Sequence, residues 1–214
     1  MRINLLAILT VLTLTINAHA TPSTVEEKID ALLAKMTLEE KAGQLNQYSG
    51  YEILTGDFDQ SKIGYRRSVI EKGLVGSVLN VLGTESAYKA QQHAVEQTRL
   101  GIPLLFAFDV IHGYRTIFPI PLAESASWDL KAIEKSARIA AIEASAAGQN
   151  WTFAPMVDIS RDPRWGRVME GAGEDTYLGG KIAQARIQGF QGDDLSRRSE
   201  EHTSELQSPC NLVC

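Results

Sequence analysis

Trp151-Thr-Phe-Ala-Pro-Met-Val157 runs directly into Asp158-Ile-Ser-Arg-Asp-Pro-Arg-Trp-Gly-Arg167 and then Val-Met-Glu170. The first seven residues are almost wholly apolar and predict a buried strand. The rest is a loop with three arginines (Arg161, Arg164, Arg167), three acids (Asp158, Asp162, Glu170) and Trp165. An apolar strand that ends in guanidinium forks, carboxylates and an indole suits the hydroxyls and flat face of a sugar ring. The plainer alternative is a solvated loop with internal Arg–Asp pairs, since surface ion pairs are common and weak.

Working outward, the same rhythm recurs upstream. Leu74 to Val81 and Ile102 to Val110 are near-continuous apolar runs that predict buried strands. Helices are predicted over Thr84 to Thr98, with Ala87, Ala90, Ala94 and Val95 inward, over Leu130 to Ala147, closed by Gly148, and over Asp175 to Phe190. Alternating strands and helices of this kind predict a parallel α/β sheet covered by helices. Ser23-Thr-Val-Glu26 and Thr37-Leu-Glu-Glu40 fit the capping-box pattern and open two earlier helices. The first carries Val25, Ile29, Leu32 and Leu33 on one face; the second carries Leu38, Ala42 and Leu45. Gly50 to Tyr65 reads as loop.

A (β/α)8 barrel takes about 250 residues. The body between Thr21 and Gly192 is shorter, so three β/α units here suggest either a small open sheet or the first part of a barrel. A half barrel leaves an unpaired strand edge and an uncovered apolar face, which favours a truncated chain over a natural short protein.

Both ends differ from the body. Met1-Arg2, the apolar stretch Ile3 to Ile16 and Ala18-His-Ala20 have the form of a secretory signal peptide, with cleavage expected after Ala20. That predicts export to a periplasm or beyond the cell, with no membrane association after cleavage. From about Ser196 the chain has neither strand alternation nor a helical stripe. Residues 193–214 resemble translated sequencing-adaptor sequence and are set apart from the fold. The two cysteines, Cys210 and Cys214, both fall there. The net charge is -5 with Lys and Arg scattered, which argues against a nucleic-acid surface.

Several chemistries find no support. Gly171-Ala-Gly173 lacks the third glycine of a dinucleotide fingerprint, and Gly179-Gly-Lys181 lacks the remainder of a phosphate loop. There is no His-Glu-x-x-His or cysteine cluster for zinc, and no Gly-x-Ser-x-Gly elbow. Of the histidines, His93 falls mid-helix and only His112 follows a strand end.

The remaining polar residues gather where predicted strands end: Asp109 and His112 after the second, and Asp158, Arg161, Asp162, Arg164, Arg167 and Glu170 after the third. Ligands bind at that edge of parallel α/β folds. Asp109 is a ligand contact or a cap for the following segment; His112 is a ligand contact or a loop fastener.

Seven segments carry a specific resemblance: Leu38-Glu-Glu-Lys-Ala-Gly-Gln-Leu45, Gly76-Ser-Val, Arg99-Leu-Gly-Ile-Pro103, Phe108-Asp-Val-Ile-His-Gly113, Thr116-Ile-Phe-Pro119, Phe153-Ala-Pro155 and Arg161-Asp-Pro-Arg-Trp-Gly-Arg167. In this order they resemble glycoside hydrolase family 3, over nearly all of Ser23 to Gly192, and most resemble its β-glucosidases. The resemblance implies the first part of a (β/α)8 TIM-like barrel, and release of β-D-glucose from the non-reducing end of β-glucosides or cellodextrins by a retaining mechanism. Such a mechanism places two carboxyls roughly 5 Å apart, and the resemblance implies that no metal and no organic cofactor is needed.

The resemblance also implies roles. Asp109 matches the aspartate that grips sugar hydroxyls in the −1 subsite, and Arg167 the arginine that binds neighbouring hydroxyls. His112, Arg161, Asp162 and Glu170 are supporting residues, the last three as scaffolding around Arg167. Trp165 is expected to pack rather than stack on sugar. The family's Lys-His pair, nucleophile and acid/base are expected beyond Gly192, so no residue of this chain is nominated as catalytic and the chain alone is expected to be inactive. The competing readings are a non-catalytic periplasmic sugar-binding fragment and a translated fragment without a stable fold.

Overall fold

The computed structural model describes residues 24–50 and 68–192. The expected signal peptide over Met1 to Ala20, most of the expected loop over Gly50 to Tyr65 and residues 193–214 lie outside the described residues. The chain divides into two units, one ending at Met36 and the other beginning at Thr37.

In the first unit, α1 spans Val25–Leu33. Its capping box is Thr24 with Glu27, one residue later than expected: Glu27 N–H donates to Thr24 Oγ1 (3.2 Å) and Thr24 N–H to Glu27 Oε2 (3.1 Å). Ser23-Thr-Val-Glu-Glu27 spells the box in two registers, and the extended backbone at Thr24 selects the second. None of its residues is buried.

The second unit is built on a four-stranded, wholly parallel sheet in the order β1 (Gln47–Ser49), β2 (Ser77–Leu79), β3 (Leu105–Phe108), β4 (Trp151–Thr152). This confirms the α/β class and the strand order of the start of a (β/α)8-type barrel. Tyr48 aligns with Val78, and Val78 with Phe106. All three face α3 (Thr84–Gln97), whose Ala87, Ala90 and Ala94 complete the main core with Val75, Val81 and Leu104. Small residues on α3 allow the helix to lie close to the sheet. Val95, expected inward, is exposed instead, because the buried stripe is only alanine-wide.

Three expectations are corrected. The sequence reading missed β1, a short polar strand that exists only by pairing with β2. The strands are shorter than the apolar runs: Leu104 N–H, just past Pro103, bonds the Gln91 side chain (2.8 Å), and Pro155 has no N–H to extend β4. And Trp151 to Val157 is not buried. Phe153 is exposed and the rest half-buried, since β4 has no strand on its far side among the described residues.

Helix α2 (Leu38–Gln44) has the expected box, with Thr37 Oγ1 accepting from Glu40 N–H (3.2 Å) and Glu40 Oε2 from Thr37 N–H (2.8 Å). Its inward residues are Glu40 and Gly43, while Leu38 and Leu45 are exposed. A Cβ on Gly43 would stand 2.5 Å from Leu74 Cα, and one on Gly76 2.0 Å from the Gln44 carbonyl oxygen. Both glycines are therefore required by close backbone approach. Glu40 then receives both Nε–H (3.0 Å) and Nη2–H (2.5 Å) of Arg99, tying α2 to the end of α3.

Past β3, the short α4 (Pro121–Ala126) starts with proline at its first turn and was not anticipated. The two longest helices among the described residues, α5 (Leu130–Ala146) and α6 (Thr176–Gln191), are capped by Asp129 and Asp175. They pack through Ile133, Ile182 and Ala185. Their backbones meet at Gly189, where a Cβ would lie 2.2 Å from the Glu134 carbonyl oxygen.

Candidate functional site

β3 ends at Phe108, so Asp109 is the first residue beyond the sheet. The Asp109 carbonyl accepts from Thr152 Oγ1 (3.0 Å), which joins the ends of β3 and β4. Its side chain is left exposed. The next residue, Val110, has φ +49°, a left-handed conformation rare for a β-branched residue. Burial against Ala140 and Ala144, with Phe108, Tyr114 and Phe190 around it, holds it there. Backbone kept in such a region by its surroundings is typical of functional loops.

The loop that follows is closed on itself. His112 Nδ1 meets the Phe118 carbonyl oxygen at 2.9 Å, and Phe118 N–H returns to the His112 carbonyl (2.8 Å). Because a carbonyl only accepts, Nδ1 carries the hydrogen, and Nε2 is the acceptor in the neutral ring. His112 thus fastens the loop through its bonds to Phe118. Glu143 of α5 secures the outer turn: its Oε2 accepts from Arg115 and Thr116 N–H (2.8 Å each) and its Oε1 from Thr116 Oγ1 (2.6 Å). These bonds, those from Thr116 foremost, hold the Glu143 carboxyl below the usual carboxylate range.

On the second loop, a 3₁₀ turn over Val168–Glu170 brings Glu170 back to Arg167. Glu170 accepts from Nε (2.9 Å) and Nη2 (2.6 Å), a bidentate pair. Glu170 raises the Arg167 guanidinium above its ordinary range, and the fields of Asp158 and Asp109 add to this. Asp109 and Arg167, from loops after different strands, are therefore in electrostatic reach of each other. Together with Asp158 and the half-buried Glu170 they form one charged cluster at the carboxyl edge of the sheet.

Asp162 does not join it. It binds Arg164 through both carboxylate oxygens (3.0 and 2.6 Å) and through the Arg164 N–H (2.9 Å), and this draws its carboxyl down. Arg161 is exposed on the same loop, and Trp165 is about one-third exposed, at 37%.

The sequence reading missed a second set of residues behind the cluster. Arg186 of α6 is 3% exposed and Glu124 of α4 8%. Arg186 Nη1 lies 2.5 Å from Glu124 Oε2, and Nη2 donates to the Ile111 carbonyl. Burial pulls the Arg186 guanidinium below its usual range, and the Glu124 charge opposes this. Arginine's high intrinsic basicity keeps it charged. Ser125 Oγ donates to the Ala172 carbonyl (2.6 Å), and Ser160 N–H to that of Gly173 (3.0 Å), so α4 and the end of the second loop are joined as well. One signal for Arg186 was available: Ile182, Gly189 and Phe190, at helical spacing from it, mark an apolar face on which a cation needs a buried acid. Among the described residues no group of His, Cys, Asp and Glu is arranged to hold a metal ion.

Comparison with known proteins gives a consistent result. The chain matches the glycosyl hydrolase family 3 N-terminal domain over residues 37–202. It is 40% identical over 188 residues to a periplasmic beta-glucosidase of Salmonella typhimurium, covering 88% of this chain and 24% of that protein. Among solved structures it resembles the beta-glucosidase of Listeria innocua in complex with glucose, at 39% identity and TM-score 0.71 over 79% of this chain and 24% of that one. A mutant of that enzyme in complex with laminaribiose matches at 40% identity, with the same TM-score and the same coverage. The chain therefore spans about a quarter of the length of these relatives. An extended family match that takes in Asp109, Arg167 and their loops, with this level of identity, leads to one conclusion: the chain belongs to glycosyl hydrolase family 3.

Proposed function

We propose that the protein carrying this chain is a retaining glycoside hydrolase that releases β-D-glucose from the non-reducing end of β-glucosides, and that this chain supplies the sugar-holding side of its −1 subsite. The observation that carries this is the convergence of Asp109 with the Glu170-braced Arg167 at the carboxyl edge of a parallel sheet. Relatives named as β-glucosidases, one of them with bound glucose, support the choice of sugar. Asp109 accepts from ring hydroxyls, and Arg167 donates to neighbouring ones. Bonds of this kind that strengthen as the ring distorts toward an oxocarbenium-like state raise the rate as well as the affinity.

The nucleophile and acid/base are assigned to parts of the protein outside Thr21–Gly192, so this segment binds without turning over. Met1 to Ala20 is read as an export signal and the protein as periplasmic or secreted, in keeping with the Salmonella relative's name. The family match runs to residue 202, so the reading of the tail as foreign to the family is kept only for residues 203–214. Titration calorimetry of the chain with glucose tests the binding role. Saturable binding that is lost in Asp109→Ala supports it. Binding that survives Asp109→Ala and Arg167→Ala unchanged rejects it. A whole protein that binds glucose and hydrolyses no β-glucoside would favour a non-catalytic sugar-binding protein.

A further inference from the structure

We infer that Arg186 is a positioning residue for the sugar site: clamped by Glu124, its guanidinium holds the Ile111 carbonyl and thereby fixes the backbone that carries Asp109 and His112. The inference deepens the sugar-site reading and, as regards sugar, rests on it. Ile111 is two residues past Asp109 and directly precedes His112. Between Asp109 and Ile111 sits Val110, in its left-handed conformation. A backbone bent this way needs an anchor just past the bend, and Arg186 provides it from the interior.

Stability alone does not call for this arrangement. A buried ion pair can often be replaced by apolar residues of like volume with no loss of stability. An apolar pair, however, cannot donate a directed hydrogen bond to a carbonyl. The Arg186 guanidinium donates to the Glu124 carboxylate and to the Ile111 carbonyl with fixed mutual geometry, which a planar fork enforces and an ammonium does not. The guanidinium carbon also lies 5.9 Å from the Phe190 ring centre, so the side chain is boxed in. Its Nε is buried with no hydrogen-bond partner, an expense that packing alone would have avoided. Glu143 fastens the outer turn of the same loop and the His112–Phe118 bonds close its middle. Thr152 ties the Asp109 carbonyl before the Val110 bend, and Arg186 at Ile111 supplies the first anchor after it.

The test is hydrogen exchange by mass spectrometry on the full chain, comparing wild type with Arg186→Lys. Lysine keeps the charge opposite Glu124 but cannot also reach Ile111 as a fork. Amides of 111–118 should exchange about ten-fold faster, while those of β2 and α3 keep their wild-type rates. Glucose affinity, measured in parallel, should fall roughly 10- to 100-fold, as misplacement of a binding group predicts. Should Arg186→Lys not fold, Glu124→Gln, which preserves shape, is read the same way. Unchanged exchange over 111–118 overturns the proposal. Equal acceleration of loop and core also overturns it, because the pair would then be only a general stabiliser. If wild type binds no glucose yet the loop loosens selectively, the anchoring stands and the sugar reading fails.

Discussion

Glu170 receives two hydrogen bonds from one face of Arg167, at 2.9 Å from Nε and 2.6 Å from Nη2. The 3₁₀ turn between them places residues three apart on one side. Arg167 is about half exposed, so the pair gives the site shape rather than stability. A guanidinium held in one orientation loses less freedom when a sugar docks. Glu170→Ala should therefore weaken glucose binding about ten-fold with almost no change in melting temperature. Arg164→Ala, which breaks the neighbouring Asp162 pair, should leave glucose affinity as it was. Calorimetry on both variants checks this, and equal losses would mean that the whole loop, not the Arg167 brace, matters.

Asp109 is exposed at the end of β3 with its backbone tied to Thr152. In the whole protein, Asp109→Ala should lower kcat/KM for an aryl β-glucoside by on the order of 10³-fold, the scale of losing preorganised bonds to the reacting sugar. Steady-state kinetics on the two proteins decide it. Near wild-type rates would remove Asp109 from the site.

Glu143 gives the loop a defined pH response. Its folded carboxyl is held below the ordinary value of 4.5, chiefly by Thr116. A lowered folded value means that the stabilisation is fully present above the unfolded value and is lost as pH falls through the folded one. The 112–118 loop should accordingly hold steady from neutral pH down to about 4.5 and loosen below it. Glu143→Gln should abolish that acid-side step, as read by exchange of the Arg115 and Thr116 amides once rates are corrected for intrinsic pH dependence. A step at higher pH, or one that persists in Glu143→Gln, would place the control elsewhere.

The α5–α6 contact can be tested with two glycines of one helix. A Cβ on Gly189 would meet the Glu134 carbonyl oxygen at 2.2 Å and Ala137 Cβ at 2.8 Å, whereas nothing lies within 4 Å of one on Gly180. Gly189→Ala should destabilise by about 1–3 kcal/mol through overpacking. Gly180→Ala should stabilise by about 0.5–1 kcal/mol, the ordinary helical gain. Chemical denaturation of the two variants should move in opposite directions.

Some of this molecule is written in short stretches of chain. The capping box at Thr37 and Glu40, the caps at Asp129 and Asp175, and the alanine stripe of α3 depend on residues within a few positions of each other, so the sequence by itself determined them. It also determined that Asp109 and Arg167 follow strand-like runs, and hence share one edge of a parallel sheet. Tertiary structure alone decided the rest. Gln47–Ser49 has no strand-like pattern and becomes β1 because β2 offers it a ladder. Arg167 chose Glu170, and Arg164 chose Asp162, although three acids and three arginines share that segment; the turn geometry made the choice. Glu124 and Arg186 meet across 62 positions, a separation at which no periodicity couples residues. What joins them is the absence of water around both: a charge buried by packing must find its counter-charge in the fold.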